Sequence, residues 1–184
     1  MTYPVTTNND EKQMDIRLAE TADIGQLICL NKKWQRNLLG VNTMKGFLSG
    51  SFDEATFERL INDKAIVIAM KGVDLTAYML SVNHIAEGIL LEHRDVANNL
   101  IATGVLPSGS RIAIGVQTAV AEAFHGTGLI SLVRNEFKKL LSDRFDYLFT
   151  TISKDNQRSF KSATNFGWQI VGENDEHYYL VLPV

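Results

Sequence analysis

The pattern of hydrophobic and polar positions predicts a strand, a turn and a helix in the middle of the chain. Residues 112–120 read IAIGVQTAV, an apolar run with small residues, which suits a strand covered on both faces. After a glycine-containing turn, apolar residues recur at helical spacing with charged residues between them. The predicted buried stripe is Leu129, Val133, Phe137, Leu140 and Leu141, and the predicted outer face carries Arg134, Glu136, Lys138 and Lys139.

The rest of the chain alternates between strand-like and helix-like segments. Further strands are predicted at 14–19, 65–70, 75–82, 147–153, 169–172 and 177–183. Further helices are predicted at 24–34, 53–62, 92–101 and 157–165, with Thr21, Asp23 or Asp53 as N-caps and Gly167 as a left-handed C-cap. This order predicts a single-domain α/β fold, with a mixed, mostly antiparallel sheet of six to seven strands and helices on both faces.

The length of 184 residues fits one domain with a single core. Residues 1–13 are polar and aperiodic, so we expect a flexible tail followed by one domain over 14–184. Residues 83–110 interrupt the pattern as an insertion. They either cover a substrate or form a surface addition with solvated charges.

Composition and charge narrow the class of protein. A net charge of −3 gives no global attraction to nucleic acid. The chain shows neither a secretion signal nor an apolar run of membrane-spanning length, so we expect a cytoplasmic protein without nucleic-acid or membrane partners. No metal is expected, because the four histidines are dispersed. Cys29, between Ile28 and Leu30, is predicted to be a small core residue.

The turn Phe124-His125-Gly126-Thr127-Gly128 is the first candidate site. A glycine turn between a strand and a helix directs unpaired backbone N–H groups and the positive end of the helix dipole at one point, which suits a phosphate. The alternative is a turn without a ligand. The Lys-Ser/Thr of a P-loop is replaced by Leu129-Ile130, and Ser131 stands where a dinucleotide fold has its third glycine.

A second motif follows the strand at 147–153. It reads NQRSFKSATNFGW over residues 156–168. Together with the turn HGTGLI at 125–130 and the order of elements, this stretch resembles the GNAT superfamily of acyl-CoA-dependent N-acyltransferases. The superfamily's pyrophosphate loop is Arg/Gln-x-x-Gly-x-Gly/Ala, in which Gly128 takes the place of the central glycine, whereas His125 and Ile130 depart from the pattern.

The second superfamily motif is Asn-x-x-Ala/Ser-x-x-Leu-Tyr-x-x-x-Gly-Phe. Asn156, Ser159, Gly167 and Trp168 stand at the matching offsets. The tyrosine that often protonates the leaving thiolate is replaced by Ala163. The two motifs cover residues 112–168, and the flanking elements fit in order from 14 to 184.

The resemblance implies that the central strand and the next one splay apart and that acetyl-CoA binds in the gap as a co-substrate. Backbone groups of residues 118–120 would pair with pantetheine, and the amides of residues 126–131 would hold the pyrophosphate. Asn156 would bind the cofactor arm, cap its helix, or do both. The residues implied are Thr118, Ala119, Val120, His125, Gly126, Thr127, Gly128, Leu129, Ile130, Ser131, Asn156 and Ser159.

Acetyl transfer needs a base for the amine and an acid for the thiolate. The candidates are Glu122 as base and Tyr178 as acid, with Tyr179 or a water chain as alternatives; Glu122 could equally face solvent and Tyr178 the core. The resemblance implies an N-acetyltransferase that moves acetyl from acetyl-CoA to a primary amine of a small molecule or protein by direct attack in a ternary complex. The alternatives are a non-catalytic acyl-CoA-binding or regulatory module and an unrelated nucleotide-phosphate binder. A homodimer is possible, and the acceptor stays open.

Overall fold

The computed structural model describes residues 14–36, 46–48, 50–82 and 91–184, without the side chains of Leu91 and Glu92. The predicted tail at 1–13 lies outside the described residues, as do residues 83–90 of the predicted insertion. Within the described ranges the chain forms eight strands and five α-helices. Two single-turn 3₁₀ helices, Thr21–Asp23 and Glu122–Phe124, connect them.

The strands and helices follow the predicted order closely. The strands are β1 Met14–Leu18, β2 Ile66–Lys71, β3 Asp74–Leu80, β4 Ile112–Ala113, β5 Gln117–Val120, β6 Tyr147–Ser153, β7 Gln169–Glu173 and β8 His177–Pro183. The helices are α1 Ile24–Lys33, α2 Glu54–Asn62, α3 Leu91–Ala102, α4 Leu129–Leu141 and α5 Gln157–Phe166.

The strands form two four-stranded sheets, in the orders β1-β2-β3-β5 and β4-β6-β8-β7. All neighbours are antiparallel except β4 and β6. The predicted fold class is therefore confirmed. The strand count is eight because the single strand expected over 112–120 is two strands, which belong to different sheets. Gly115, with φ of +67°, lies between them in a conformation that disfavours other residues.

Helices cover both faces of the sheets, as predicted. Helices α1 and α2 pack on one face of the first sheet, where Phe57 and Leu60 are fully buried. On the same side, α3 packs against the second sheet through Ala97 and Leu100. Helices α4 and α5 cover the opposite face of both sheets. Each fully buried Leu or Phe contributes roughly 1.5–3 kcal/mol to this core.

Two of the predicted helix caps, Asp53 and Gly167, are confirmed. The Asp53 carboxylate accepts a 2.8 Å hydrogen bond from the Thr56 N–H and begins α2. Asp23 stands at the N-cap of α1, but its side chain makes no bond to that helix; its carboxylate accepts instead from the preceding Glu20 N–H and pairs with Arg17. Gly167 ends α5 with φ of +105°. The local capping rules therefore set these helix ends.

Two side-chain predictions are wrong. Arg134, expected on the outer face of α4, is only 7% exposed, because the sector beside the apolar stripe is covered by α5. Cys29, expected in the core, is exposed. At 100° per residue, Cys29 lies about 200° around the helix from buried Leu27 and about 100° from buried Leu30. Its side chain is therefore on the solvent face of α1. No described helix is both long and apolar enough to cross a membrane.

Candidate functional site

The strands β5 and β6 run side by side without forming a ladder in the described part of the chain, since β5 pairs only with β3. Their last link lies just before β5. There the Val116 N–H reaches the Phe149 carbonyl oxygen at 3.5 Å, and the Thr150 hydroxyl donates to the Val116 carbonyl oxygen at 2.9 Å. Beyond Val116 the strands separate, so the predicted splay of the central strands is confirmed.

Strand β5 presents alternate backbone groups to this gap. The Ala121 N–H donates to the Thr76 carbonyl oxygen on the β3 side at 2.7 Å. In an antiparallel pair every second residue faces its partner, so Ala119 also directs its N–H and C=O at β3. The backbone groups of Thr118 and Val120 therefore point into the gap. Ala119, predicted to pair with pantetheine, does not present its backbone there.

A cavity of about 750 Å³ occupies the gap, and its lining residues come from both faces of the sheets. One side is bounded by the α4 and α5 region, through residues such as Leu129, Arg134, Ala163 and Trp168. The other side includes Gly50, Phe52, His93 and Thr151, from the side of the sheets that carries α1, α2 and α3. The volume is typical of a small-molecule site.

The predicted anion turn lies at one end of the cavity. Gly126 and Gly128 both have positive φ, and Gly128 is the N-cap of α4. The N–H groups of Thr127, Leu129 and Ser131 bond within the turn, to the Phe124 carbonyl oxygen, the Thr127 hydroxyl and the Gly128 carbonyl oxygen. The amides of Gly126, Gly128 and Ile130 have no partner among the described residues. Three N–H groups at the start of a helix therefore remain for an anion.

Not every predicted member of the turn reaches the cavity. His125, Gly126, Gly128, Leu129 and Ile130 line it. Thr127 is exposed, and its hydroxyl donates to the Phe124 carbonyl oxygen at 2.8 Å. Ser131 is likewise exposed and lies outside the lining. The approach to the backbone is open, because a Cβ built on Gly126 or Gly128 would meet nothing within 4 Å.

The charged side chains that line the cavity are cationic. Arg134, Arg158 and Lys161 belong to this lining, and no Asp or Glu side chain does so among the described residues. Arg134 donates to the carbonyl and hydroxyl oxygens of Ser162, and its guanidinium lies 5.1 Å from the centre of the Phe166 ring. Burial lowers its pKa to about 10, which leaves it charged at neutral pH. Its Nε is buried without a hydrogen-bond partner.

His125 lies at the inner edge of the turn. Its Nε2 is 3.1 Å from the Val120 carbonyl oxygen and donates to it in the tautomer protonated at Nε2. Its ring packs against Trp34 with 5.1 Å between ring centres. Burial lowers the pKa of His125, and the positive charge of Arg158 lowers it further. The ring is therefore neutral at pH 7 in the absence of an anion.

Asn156 caps α5, which is one of the two roles predicted for it. Its Oδ1 accepts from the Ser159 N–H at 3.2 Å, and its Nδ2 donates to the Phe47 carbonyl oxygen at 2.8 Å. Residues 46–48 are in turn tied to α1, since the Leu48 N–H donates to the Trp34 carbonyl oxygen at 2.7 Å. Asn156 and Ser159 both line the cavity, so contact with a ligand there is compatible with the cap.

The two residues predicted for proton transfer lie outside the cavity lining. Glu122 is exposed on its 3₁₀ helix. Tyr178 is half-buried and packs on the Phe160 ring at 4.4 Å, with the Lys154 ammonium 5.3 Å from the centre of its own ring. Ala163, at the position of the superfamily's tyrosine, does line the cavity and is 4% exposed.

A buried polar cluster at the other end of β5 was missed by the sequence analysis. Gln117 accepts from Asn31 at 3.1 Å and from the Tyr78 hydroxyl at 3.0 Å, and donates to the Gly50 carbonyl oxygen at 3.1 Å. Burial raises the pKa of Tyr78. The available signal was Asn31, a polar residue within the apolar stripe of α1. Among the described residues, no three His, Cys, Asp or Glu side chains converge as a metal site would require.

The fold and the site were compared with known proteins. No protein-family model and no curated protein matches the sequence. Among solved structures, a GNAT-family acetyltransferase from Listeria monocytogenes 4b F2365 has a TM-score of 0.64 at 14% identity, over 93% of this chain and 95% of that chain. An N-acetyltransferase from Staphylococcus aureus Mu50 has a TM-score of 0.62 at 13% identity, over 93% and 98%.

A third structure is that of yncA from Salmonella typhimurium, solved with its cofactor acetyl-CoA. It has a TM-score of 0.57 at 13% identity, over 92% of this chain and 93% of that chain. The chain thus has the fold of the GNAT acetyltransferases, as the sequence resemblance predicted. Identities this low establish the fold, and the chemistry must be argued from the site itself.

Proposed function

We propose that this protein is a GNAT N-acetyltransferase that moves acetyl from acetyl-CoA to a primary amine by direct attack in a ternary complex. The observation that carries the proposal is the gap between β5 and β6, which leads from the Thr150–Val116 bond to the turn with the three available amides. A gap of this kind can accept an extended chain on one strand edge while its far end holds an anion.

The residues present fit the parts of acetyl-CoA. The amides of Gly126, Gly128 and Ile130 suit the diphosphate, and Arg158 and Lys161 add positive charge to the same cavity. The outward Thr118 C=O and Val120 N–H suit the amides of pantetheine, which leaves the Thr118 N–H for the thioester. The thioester would then lie toward Val116, where the strands converge.

The lining of the cavity comes from both faces of the sheets, which suits two substrates. In this proposal acetyl-CoA binds along the face that carries α4 and α5, and the amine arrives from the face that carries α3. The Thr118 N–H is available to stabilise negative charge on the thioester oxygen during attack. The proposal gives no role to Glu122 or Tyr178, because both lie outside the lining.

A non-catalytic acyl-CoA-binding module is the second candidate. It is favoured by Ala163, which occupies the place of the usual acid and lines the cavity with a methyl group. This candidate shares the binding site with the first and differs only in turnover.

Ligand binding tests the site. We expect acetyl-CoA and CoA to raise the melting temperature, and ATP to raise it far less, because only the former carry pantetheine for the β5 edge. Stabilisation by ATP alone would instead indicate a nucleotide-phosphate site. The absence of a shift with acetyl-CoA at millimolar concentration would refute the proposal.

Turnover separates the two candidates. The protein is incubated with acetyl-CoA and a panel of primary amines, including amino acids, polyamines and peptide N-termini, and released thiol is measured. Amine-dependent thiol release supports the acetyltransferase. Tight binding of acetyl-CoA without release for any amine supports the binding module.

A further inference from the structure

A hydroxyl and an imidazole meet on the wall of the cavity opposite the anion turn. The Thr151 Oγ1 and the His93 Nε2 are 2.8 Å apart, and both residues line the cavity. Neither belongs to a superfamily motif in the sequence. Thr151 directly follows Thr150, whose hydroxyl makes the last link before the strands separate. The pair therefore lies at the level where the thioester would lie in the proposed function.

The pair belongs to the face proposed for the amine. Side chains alternate along β6, and Phe149 packs in the cluster formed with α3, whereas Leu148 and Ile152 pack in the cluster with α4 and α5. Thr151 shares the face of Phe149. The His93 ring packs edge-on against Phe149, with 6.2 Å between ring centres and an interplanar angle of 80°. This contact and the hydroxyl fix the orientation of the ring.

The other lining histidines are less suited to accept a proton at this level. No carboxylate lines the cavity among the described residues, so histidine is the lining residue type with an ordinary pKa near neutrality. The Nε2 of His125 contacts the Val120 carbonyl oxygen at the opposite end of β5. His177 pairs with Ser153, two residues further along β6 from the splay than Thr151.

We propose that Thr151 and His93 form the proton relay of the acetyl transfer, an inference that rests on the proposed function. The Thr151 oxygen accepts a proton from the ammonium group of the acceptor while its own proton passes to the His93 Nε2. This direction requires the His93 tautomer that carries its proton on Nδ1.

The resulting neutral amine attacks the thioester carbonyl carbon, and a C–N bond forms. The C–S bond then breaks, the electron pair stays on sulfur, and the thiolate takes up the second proton lost by the nitrogen. His93 finally releases its proton to solvent. The balance is one ammonium and one acetyl-CoA consumed, and one amide, one CoA thiol and one proton produced.

The first test needs no acceptor. Long-range ¹H–¹⁵N correlation spectra of the free protein report which ring nitrogen of each neutral histidine carries the proton, and His93→Gln identifies the His93 signals by their loss. We expect Nδ1 to be protonated and Nε2 to be the accepting nitrogen. A protonated Nε2, which would donate to Thr151, would overturn the relay.

The second test uses a matched pair at Thr151. With an amine found in the turnover screen, we expect Thr151→Val to lower kcat by about a hundredfold, and Thr151→Ser to restore it to within about threefold of the wild-type value. Acetyl-CoA affinity should be the same in all three proteins. If Thr151→Val kept the wild-type kcat, the relay would be excluded.

These outcomes are separable from failure of the proposed function. Loss of acetyl-CoA binding by the wild-type protein would refute the function, whichever tautomer His93 adopts. Intact binding and turnover with a protonated Nε2, or with an unaffected Thr151→Val variant, would refute the relay alone. His93→Gln is expected to lower kcat as Thr151→Val does, and wild-type turnover by this variant would also refute the relay.

Discussion

The hydroxyl of Thr150 donates to the carbonyl oxygen of Val116 across 2.9 Å, and beyond this bond β5 and β6 part. A side chain here replaces the backbone ladder that neighbouring strands normally form. Thr150 is only 9% exposed, so the bond is largely shielded from bulk solvent, although both residues also line the cavity. The bond marks the apex of the gap, and in the proposed function its position sets how deep the acyl chain reaches.

Removing this hydroxyl should destabilise the protein. Thr150→Val keeps the shape of the side chain but leaves the Val116 carbonyl oxygen without its donor, and we expect a loss of about 1–2 kcal/mol in the free energy of unfolding. Urea denaturation measures it. Thr150→Ser, which keeps the hydroxyl, serves as the control. Equal stability of Thr150→Val and the wild type would show that the bond contributes nothing.

Substitution of Gly128 in the anion turn should lower both the stability of the protein and its affinity for CoA, and the two effects can be measured separately. Gly128→Ala places a non-glycine residue at φ of +82°, with open space for the new Cβ, and should cost roughly 1–2 kcal/mol. The Cβ also projects where the diphosphate is proposed to approach, so CoA affinity should fall. Calorimetric titration measures affinity, and thermal unfolding measures stability.

Gly109 provides the matched control for that substitution. It has φ of +80° and equally open space, but it lies in the loop between α3 and β4, outside the cavity lining. Gly109→Ala should lose comparable stability and keep full CoA affinity. Equal CoA affinity of the Gly128→Ala and Gly109→Ala proteins would contradict the placement of the diphosphate.

Arg134 should contribute to binding through its charge. Arg134→Met keeps an unbranched side chain against Phe166 and removes the cation from the cavity wall. Hydrogen bonds to charged groups contribute about 1.5–3 kcal/mol, so CoA affinity should fall by about tenfold to a hundredfold. Arg144→Met is the control, because Arg144 pairs with Asp63 away from the cavity. Unchanged affinity in Arg134→Met would mean that the guanidinium is structural only.

The lowered pKa of His125 predicts that the stability of the protein depends on pH. Because its pKa is lowered on folding, the unfolded chain binds the proton at a higher pH than the folded protein does. Stability should therefore be lost as the pH falls from about 6.5 toward the lowered pKa. Urea unfolding on either side of this window measures the effect. His125→Gln retains a donor for Val120 without a titrating ring, and its stability should depend less on pH.

Binding of CoA should shift that same titration. A diphosphate beside the turn favours the protonated ring, so the pKa of His125 should rise in the complex, and CoA should bind more tightly at lower pH. Histidine resonances followed by NMR with and without CoA report the change. An unaltered His125 pKa in the complex would place the diphosphate away from this ring.

The sequence predicted what depends on local patterns. The bounds of α4 and α5, the Asp53 and Gly167 caps and the positive φ of Gly126 and Gly128 all follow from periodicity or from residue preferences. The two superfamily motifs, at residues 125–130 and 156–168, were also recognisable from the spacing of their residues. The folded protein has these features as predicted because residues close in the sequence determine them.

Contacts between distant residues could not be predicted in this way. Asn156 bonds to Phe47, 109 positions away, and Thr151 meets His93 across 58 positions. Arg134 looked like a surface residue because its own side chain is charged and lies outside the apolar stripe of α4, and only the position of α5 buries it. Glu122, chosen because it adjoins the turn in sequence, and Tyr178, chosen from the closing strand to replace the missing acid, lie outside the lining for the same reason.

The passage of the chain from the second sheet to the first at Gly115 has a consequence for how such a protein can diversify. Gly115 itself lines the cavity, and its φ of +67° lets the chain turn from β4 in one sheet to β5 in the other. In the proposed function, side chains around the rim can be exchanged to admit a new acceptor while this crossing between the sheets is kept. Any other residue at 115 would add a Cβ to the cavity wall and strain the backbone there, so this crossing constrains diversification more than the rim does.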